Sequence, residues 1–385
     1  MASIKAPAWK EHLLPKEGEA INSVAICGDG SRVVAGTYFF TAGPTPTPKT
    51  VGMFAYNSKG KLLWPADTYP ATFGINWVAI SRDGTWAASG GQVSGTSGLI
   101  NAYDTASGSK SLTYNTPVIV NMVALNSDGS FLVAGSDLLY VFARNGSTNV
   151  WAPPQTVSYT SGKVERVAVS DDGKWIVAGV AGGVVSLVRN NISTGGGLSP
   201  PVSWSLPNSW ILWVSIAANG SGFAVGGSDG NVYYFDINAF AALSTPSLNP
   251  AWQVPLAGCS ACRSVAVCDD GSRISAVGDF KSSPATGRVF LLANQGASGK
   301  QLWSSTPTTL YGANSTSIDA KARYVTVTDG TPSGTAGDFY LFDAEGNLLW
   351  TYKLSNMSWP MQICADGTSI AAGSDNGELY YFSVP

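Results

Sequence analysis

The stretch Val-Ala-Val-Ser-Asp-Asp-Gly-Lys-Trp-Ile-Val-Ala-Gly at residues 167–179 contains the pattern that decides the fold. Two short apolar runs, residues 167–169 and 175–179, lie on either side of Asp172 and Gly173. Asp followed by Gly favours a tight hairpin turn, because Gly readily adopts a positive φ. A third apolar run follows at residues 183–188. The stretch therefore predicts antiparallel strands joined by short turns.

Similar units recur along the whole chain. Each contains a triplet like residues 167–169, and the triplets end 44 to 54 residues apart, at Ile26, Ile80, Leu125, Val169, Ile216, Val267, Ile318 and Ile363. An aromatic residue stands 11 to 18 positions before each of these ends, at Trp9, Trp64, Tyr114, Trp151, Trp204, Trp252, Trp303 and Trp350. We expect it on the outermost strand of the preceding unit. Four strands in about 40–50 residues is the size of a β-propeller blade.

The repeats predict an all-β fold, an eight-bladed β-propeller of four-stranded antiparallel blades. We expect one domain over residues 1–385, with blades beginning near residues 22, 76, 121, 165, 212, 263, 314 and 359. The last repeat stops at Pro385 after its third strand, whereas Trp9 has no blade before it. Residues 7–13 are therefore predicted to form the outer strand of blade 8 and to close the ring.

Composition narrows the classes of function. Charged residues make up 12% of the chain, the net charge is −3, and no basic stripe is present, which argues against a nucleic-acid partner. No run of about 18 apolar residues predicts a membrane span, and the first twenty residues do not resemble a signal peptide. High Gly, Ser, Thr and Asn content with low charge favours a periplasmic or extracellular protein. We expect it to be monomeric.

Several stretches combine an Asp or Asn, a Gly turn and a following aromatic residue, at residues 55–64, 103–114 and 342–350. They resemble the repeats of the quinoprotein (PQQ-like) propellers, and residues 167–179 are also similar to WD40-like and YVTN-type repeats. The resemblance covers essentially the whole chain. It implies that the aromatic residues pack between neighbouring blades.

The quinoprotein family includes alcohol dehydrogenases that bind PQQ and calcium, as well as a non-enzymatic lipoprotein. Its enzymes carry an adjacent Cys-Cys pair and long insertions that supply the calcium ligands. This chain has no such pair, and repeats of 44 to 54 residues leave no room for such insertions. We therefore predict no cofactor, with PQQ and calcium as the less favoured alternative.

Propellers mostly bind ligands at the mouth of the central channel, where inner strands begin. The candidate ligand-binding residues at this rim are Asn22, Asn76, Trp77, Asn121, Glu165, Arg166, Trp213, Arg263, Asn314 and Trp359. They could form a polar funnel with aromatic walls. Alternatively, the Asn side chains satisfy backbone groups at the strand entries. The long loops at residues 37–50, 91–98, 279–287 and 328–337 are further candidates for partner binding.

The five Cys and the single His favour structure over catalysis. Cys27, Cys268 and Cys364 follow triplets and are predicted to be buried thiols. Cys259 and Cys262 could form a short-loop disulfide or remain two free thiols. His12 is the only His, so neither a zinc site nor a Ser-His-Asp triad is predicted. We name no catalytic and no metal-binding residue.

The function predicted from sequence is that of a non-catalytic scaffold, binding a protein or cell-envelope partner through the channel-mouth face. One alternative is a quinoprotein-like or lyase-type enzyme that uses Glu165, Arg166, Arg263 and the rim Asn residues. Another is a structural repeat domain of a surface assembly.

Overall fold

A computed structural model describes residues 3–14, 19–39, 48–280, 286–307, 312–330 and 337–384. These residues belong to two compact units, each described here by itself. Unit 1 consists of Met1–Lys5, Tyr159–Gly162 and Arg166–Ser358, and unit 2 of Ala6–Ser158, Lys163–Glu165 and Trp359–Pro385.

The strands follow one another in chain order with little helix between them. The N-terminal strands and those of the first two blades are β1 (Ser3–Ile4), β2 (Trp9–His12), β3 (Ala20–Ile26), β4 (Arg32–Tyr38), β5 (Lys49–Asn57), β6 (Asp67–Ala71), β7 (Gly74–Ile80), β8 (Trp86–Ser94), β9 (Ser97–Asp104) and β10 (Lys110–Thr116). Blades 3 and 4 contain β11 (Met122–Leu125), β12 (Phe131–Gly135), β13 (Leu139–Ala143), β14 (Gln155–Val157), β15 (Val164–Val169), β16 (Trp175–Val180), β17 (Val184–Arg189) and β18 (Val202–Ser205).

Blades 5 and 6 contain β19 (Ile211–Ile216), β20 (Gly222–Gly227), β21 (Asn231–Asp236), β22 (Trp252–Pro255), β23 (Cys259–Val267), β24 (Arg273–Phe280), β25 (Gly287–Asn294) and β26 (Gly299–Ser305). The last strands are β27 (Gly312–Ile318), β28 (Tyr324–Gly330), β29 (Gly337–Asp343), β30 (Leu348–Leu354), β31 (Met361–Ile363), β32 (Ser369–Gly373) and β33 (Glu378–Ser383). In the described ranges, helix is confined to α1 (Ile237–Ala241) and a 3-10 turn at Ile192–Thr194.

Each blade is a four-stranded meander. Unit 1 contains blade 4 (β15–β18, except Val164 and Glu165 at the start of β15), blade 5 (β19–β22), blade 6 (β23–β26) and blade 7 (β27–β30). Unit 2 contains blade 1 (β3–β6), blade 2 (β7–β10), blade 3 (β11–β14) and blade 8, in the order β2-β33-β32-β31. Apolar side chains of adjacent blades interleave, for example Val34 of blade 1 with Val78 and Ala87 of blade 2. The hydrophobic core of each unit therefore lies between its sheets.

The N-terminal strand completes the last blade, as predicted. Strand β2 pairs antiparallel with β33, and Trp9 lies opposite Tyr381 with the two rings stacked at 5.2 Å. The Trp9 indole also donates from Nε1 to the carbonyl oxygen of Ser58 in blade 1, at 3.0 Å. The first strand of the chain was not foreseen. Strand β1 adds in parallel to the outer edge of β30, with Ser3 opposite Trp350.

The repeated aromatic residues pack against glycines of the next blade. Trp64 stacks on Tyr103 of blade 2 at 5.6 Å, and a Cβ on Gly108 would lie only 2.5 Å from the Trp64 ring. The same relation joins Trp9 to Gly60, Trp252 to Gly299 and Trp303 to Gly346. Two of the aromatic residues, Trp64 and Trp151, lie outside regular strands, because β6 and β14 begin after them.

Three cysteines close the hairpin turns between first and second strands. The Cys364 thiol donates to Asp366 Oδ1 at 2.9 Å and accepts from the Ser369 backbone N–H at 3.1 Å. Cys27 and Cys268 make the same two contacts. In blades 2 and 4 a Ser hydroxyl, Ser81 or Ser170, takes this place. Burial raises the pKa of all three thiols, that of Cys364 to about 11.

Candidate functional site

The rim positions coincide with bulges in the inner strands. In five blades one residue of the inner strand has no opposite partner, at Asn22, Asn76, Leu212, Arg263 and Asn314. A bulge redirects the side chain of the extra residue and locally ends regular pairing. The common offset from the triplets in the sequence therefore corresponds to a shared structural position.

In unit 2 the bulge asparagines bond consecutive blades together. Asn22 donates from Nδ2 to the carbonyl oxygen of Asn76 at 2.9 Å, and Asn76 donates to that of Val120 at 3.1 Å. Asn121, which lies just before β11, donates to the carbonyl oxygen of Val164 at 3.0 Å. The amide groups of these asparagines therefore hydrogen-bond to backbone carbonyl oxygens, which was the alternative to a ligand-binding funnel. Binding through the remaining Oδ1 atoms stays a prediction.

The other rim residues of unit 2 differ in exposure. Glu165 is half-buried, and so is Trp77, which packs against the core formed by blades 2 and 3. The side chain of Trp359 is 38% exposed, just before β31. Of the two predicted aromatic walls in this unit, Trp359 is thus the more accessible.

In unit 1, Arg166 rather than an asparagine donates the hydrogen bond that joins two blades. Its Nε donates to the carbonyl oxygen of Leu212 at 2.9 Å, and its guanidinium lies 5.2 Å from the centre of the Trp213 ring. This cation–π contact holds Trp213 against blade 4. Asn314, another rim residue of this unit, donates from Nδ2 to the carbonyl oxygen of Ser358 at 2.7 Å.

Arg263 has a partner within its own blade. Its Nε lies 2.5 Å from Asp279 Oδ2; the Arg263 side chain is 54% exposed and that of Asp279 13%. The exposed position of Arg263 screens this ion pair, so the pair contributes little to stability. The guanidinium remains accessible at the surface, next to a carboxylate that balances its charge.

Trp210 is an exposed rim residue that the sequence reasoning missed. Its side chain is 57% exposed, although its backbone N–H donates to Ser228 Oγ at 2.8 Å and its carbonyl oxygen accepts from the Ser228 N–H at 3.0 Å. Asn208, two residues before Trp210, adopts a positive φ of 56°. The turn therefore fixes the backbone of Trp210, while its indole is exposed. The Trp-x-x-Trp spacing of Trp210 and Trp213 was the available signal.

The structure corrects the possible disulfide between Cys259 and Cys262, because both are buried free thiols. Residues three apart on an extended strand have Cα atoms roughly 10 Å apart, beyond the ~7 Å that a disulfide allows. The two sulfurs also face different neighbours. A Cβ on Gly278 would lie 2.7 Å from Cys259 Sγ, and one on Gly226 would lie 3.0 Å from Cys262 Sγ. Burial raises the pKa of Cys259 to about 11 and holds that of Cys262 well above its usual value.

Most of the long candidate loops fall outside the described residues. Their unseen parts are residues 40–47, 281–285 and 331–336. The loop at residues 91–98 is described: it is the end of the hairpin between β8 and β9, with Gly95 at a φ of 54°.

Acidic, Cys and His residues do not gather into a metal-binding group of three or more within the described ranges. The sole His12 is exposed on β2. Neither of the two described helices, of five and three residues, is long enough to cross a membrane.

Comparison with solved structures identifies the fold. The crystal structure of Chaetomium thermophilum Sqt1 bound to the N-terminus of the ribosomal protein L10 is similar, with a TM-score of 0.72 and 13% identity, covering 96% of this chain and 98% of that chain. A second crystal structure of Chaetomium thermophilum Sqt1 matches with the same TM-score, identity and coverage. The fold is a β-propeller of the WD40-like type.

A chain in the crystal structure of the Mitotic Checkpoint Complex is also similar, with a TM-score of 0.58 and 14% identity over 80% of this chain and 87% of that chain. These identities support the fold alone. No protein-family model matches the sequence, and no curated protein matches it.

Proposed function

We propose that this chain is a non-catalytic scaffold that binds a protein or cell-envelope partner through the face at which the inner strands begin. We place it in the periplasm or outside the cell, as a monomer without a cofactor. Precedent comes from the similar structures, since Sqt1 is seen with the N-terminus of another protein and the checkpoint structure is an assembly.

The observation that carries this proposal is Trp210. An indole that is 57% exposed presents a large apolar surface to a partner, and Trp is among the residues that dominate binding energy at interfaces. The reciprocal hydrogen bonds to Ser228 fix its backbone before any partner arrives. Such preorganisation lowers the entropy cost of binding.

The enzymatic alternative is less well supported by the same geometry. Two of its proposed residues, Arg166 and Arg263, already contact the Leu212 carbonyl oxygen and the Asp279 carboxylate. A substrate would have to compete with these contacts. PQQ with calcium remains the alternative cofactor assignment.

Site-specific photo-crosslinking tests the proposal. A benzophenone amino acid placed at Trp210 should capture a discrete partner in cells that produce the protein. The matched control is Val150, an apolar residue that is 62% exposed between the third and outer strands of blade 3. Crosslinks of equal yield and pattern at both positions would contradict the proposal.

The captured partner then allows a quantitative test. Trp210→Ala should weaken its binding by about 2 kcal/mol, or roughly 30-fold, as expected for a central interface Trp. Val150→Ala should leave the affinity unchanged. Isothermal titration with purified proteins measures both values.

A further inference from the structure

A hydrogen bond from a tyrosine hydroxyl to a nearby carboxylate recurs close to the start of the third strand. In blade 5, for example, the Tyr233 hydroxyl donates to Asp229 Oδ2 at 2.6 Å. One carboxylate receives the hydroxyl proton in each of three blades, where the bonds join Tyr140 to Asp137, Tyr233 to Asp229 and Tyr380 to Glu378.

Blade 7 places two carboxyl groups at the equivalent tyrosine. The Tyr340 hydroxyl oxygen lies 2.8 Å from Asp329 Oδ2 and 3.3 Å from Asp338 Oδ2. Both side chains are buried, Asp329 completely and Asp338 to 5% exposure. A hydroxyl has one proton, so it donates to only one of the two carboxyl groups. The contact with the other is favourable when that carboxyl is itself protonated and donates to the Tyr340 oxygen.

The hydrogen bond that Asp329 makes to the backbone does not require a charge. Asp329 Oδ1 accepts from the N–H of Asp338, one residue beyond the last paired residues of β28 and β29. At the equivalent place in blade 1, the N–H of Gly52 donates to Thr37 Oγ1 at 2.9 Å, and Thr37 is also buried. A neutral oxygen therefore suffices as the acceptor. What Asp329 adds is a second ionisable group beside Tyr340.

Blade 6 packs against blade 7 and adds a further carboxylate at this end of the sheets. Asp279 Oδ1 lies 3.9 Å from the Cβ position on Gly312, the first residue of β27, and is buried without a hydrogen-bond partner among the described residues. The other oxygen, Asp279 Oδ2, accepts from Arg263 Nε. The Arg288 guanidinium of β25 donates to the carbonyl oxygen of Ala257, in the connection from blade 5. Asp279 thus faces blade 7, where its negative charge opposes further ionisation.

Within blade 7, β30 contributes Lys353 and Tyr352 next to β29. Lys353 lies opposite Asp338 and is exposed, so water screens its charge. Tyr352 stacks on Phe339, which points to the opposite face of the sheet from Asp338. Strand β27 contains no ionisable side chain. Burial and a like charge nearby both oppose ionisation of a carboxyl group, so Asp329 and Asp338 together retain one proton.

We infer that Asp329 and Asp338 share one proton with Tyr340 between them, and that this proton holds the end of β28 to the start of β29 as a pH-sensitive latch. Loss of the proton leaves two buried negative charges at one hydroxyl, and their repulsion separates the strand ends. Because the folded pair holds the proton more tightly than the unfolded chain does, the stabilising contribution is present at acidic pH and is lost as the pH rises. The inference goes beyond the proposed function and does not depend on a partner.

The latch is connected to a residue of the rim. The carbonyl oxygen of Asp329 accepts from the N–H of Ser358 at 3.2 Å, and the carbonyl oxygen of Ser358 accepts from Asn314 Nδ2 at 2.7 Å. Movement of Asp329 away from β29 therefore disturbs the hydrogen bonds that position Asn314. A rise in pH should loosen the rim of blade 7 as well as its strand ends.

Hydrogen–deuterium exchange of the full chain, read by mass spectrometry with single-residue fragmentation, tests the inference. The protection of the Asp338 N–H, corrected for the intrinsic effect of pH on exchange, should fall about tenfold between about pH 5 and about pH 8. The internal control is the Gly52 N–H, whose acceptor Thr37 carries no charge. Its protection should stay nearly constant over the same range.

Variants assign the effect to the shared proton. Asp329→Thr introduces the residue that blade 1 has at this place, so the protection of the Asp338 N–H should no longer fall with pH. Asp338→Asn also leaves a single carboxyl group; the N–H of residue 338 should then keep its protection, and this variant serves if Asp329→Thr does not fold. The matched control is Asp229→Asn in blade 5, where Tyr233 donates to one carboxylate. It should leave the pH dependence at Asp338 unchanged.

Three results would overturn the inference. They are equal changes of protection at Asp338 and Gly52, the same pH dependence at Asp338 in Asp329→Thr as in the unaltered chain, and recovery of Asp338 protection at about pH 8 on addition of calcium. The last would assign the two carboxyl groups to a metal ion instead of a proton. The separate effect of pH on Asp375 persists in Asp329→Thr, so the two contributions can be distinguished.

Discussion

The contact between Trp64 and Gly108 allows a prediction with a matched control. Gly108 has a φ of 71°, and an added Cβ would lie 2.5 to 2.8 Å from three atoms of Trp64. Gly108→Ala therefore imposes two costs. A left-handed backbone conformation costs a non-Gly residue about 1 to 2 kcal/mol, and forcing an extra carbon into a packed contact costs a further ~1 to 3 kcal/mol.

Gly296 separates these two contributions. It lies in the corresponding turn of blade 6 with a φ of 76°, and nothing lies within 4 Å of a Cβ built there. Gly296→Ala should therefore cost only the backbone component, about 1 to 2 kcal/mol. The difference between the two variants measures the packing component alone, and we expect it to be about 1 to 3 kcal/mol.

Urea unfolding followed by far-ultraviolet circular dichroism measures both losses on the same scale. Combining Gly108→Ala with Trp64→Phe should recover part of the loss, because a smaller ring leaves space for the Cβ; the two residues are in contact, so their effects should not add. Equal destabilisation by Gly108→Ala and Gly296→Ala would refute the reasoning. It would mean that the turn requires glycine only for its backbone and that the indole adjusts freely.

Three further predictions concern stability. Trp9→Ala should cost about 3 to 5 kcal/mol in urea unfolding, whereas Lys10→Ala, which removes an exposed ion pair, should cost less than about 1 kcal/mol; equal losses would argue against a closing role for β2. Cys364→Ser should leave the free energy of unfolding nearly unchanged, whereas Cys364→Val should lower it by about 1 to 3 kcal/mol because a backbone N–H loses its acceptor. Because burial raises its pKa, the native Cys364 thiol should react slowly with a thiol reagent at pH 8. The protonated Asp375 carboxyl contributes fully to folding stability only below pH 3.8, and this contribution is lost as the pH rises through about 6. Asp375→Asn should therefore be more stable than the unaltered chain by about 1 to 2 kcal/mol at pH 8, and its stability should depend less on pH. An identical pH profile for the two proteins would contradict this.

The sequence was sufficient to predict the sheets because their causes are local. Alternating apolar runs and Asp-Gly turns such as Asp172-Gly173 specify hairpins within a few residues of chain. The closing role of β2 followed from counting strands, since the last repeat had one too few. By contrast, the addition of β1 to β30 depends on an open sheet edge far away in the chain. Such an edge leaves no mark in residues 1–6.

The sequence predicted the rim as a set of equivalent positions, but the contacts of the side chains at those positions could not be assigned from it. A fixed offset from each triplet leads to these positions, and in five blades the inner strand has a bulge there. Whether Asn22 offers its amide or its oxygen depends on a carbonyl 54 residues away. For Cys259 and Cys262 the sequence left a disulfide and two free thiols open, and the structure shows free thiols because residues close in sequence are not close in space on an extended strand.

Function in this fold depends on which polar and aromatic groups the scaffold leaves available. The rim Asn amides and Arg166 are committed to bonding one blade to the next, so substitutions there would disturb stability and binding together. Trp210 differs, because its backbone is bonded while its ring is exposed, and so its side chain can be removed without breaking a bond between blades. Trp210 is therefore a position at which binding can be altered while the fold stays intact, and a loss of affinity there would be informative about function.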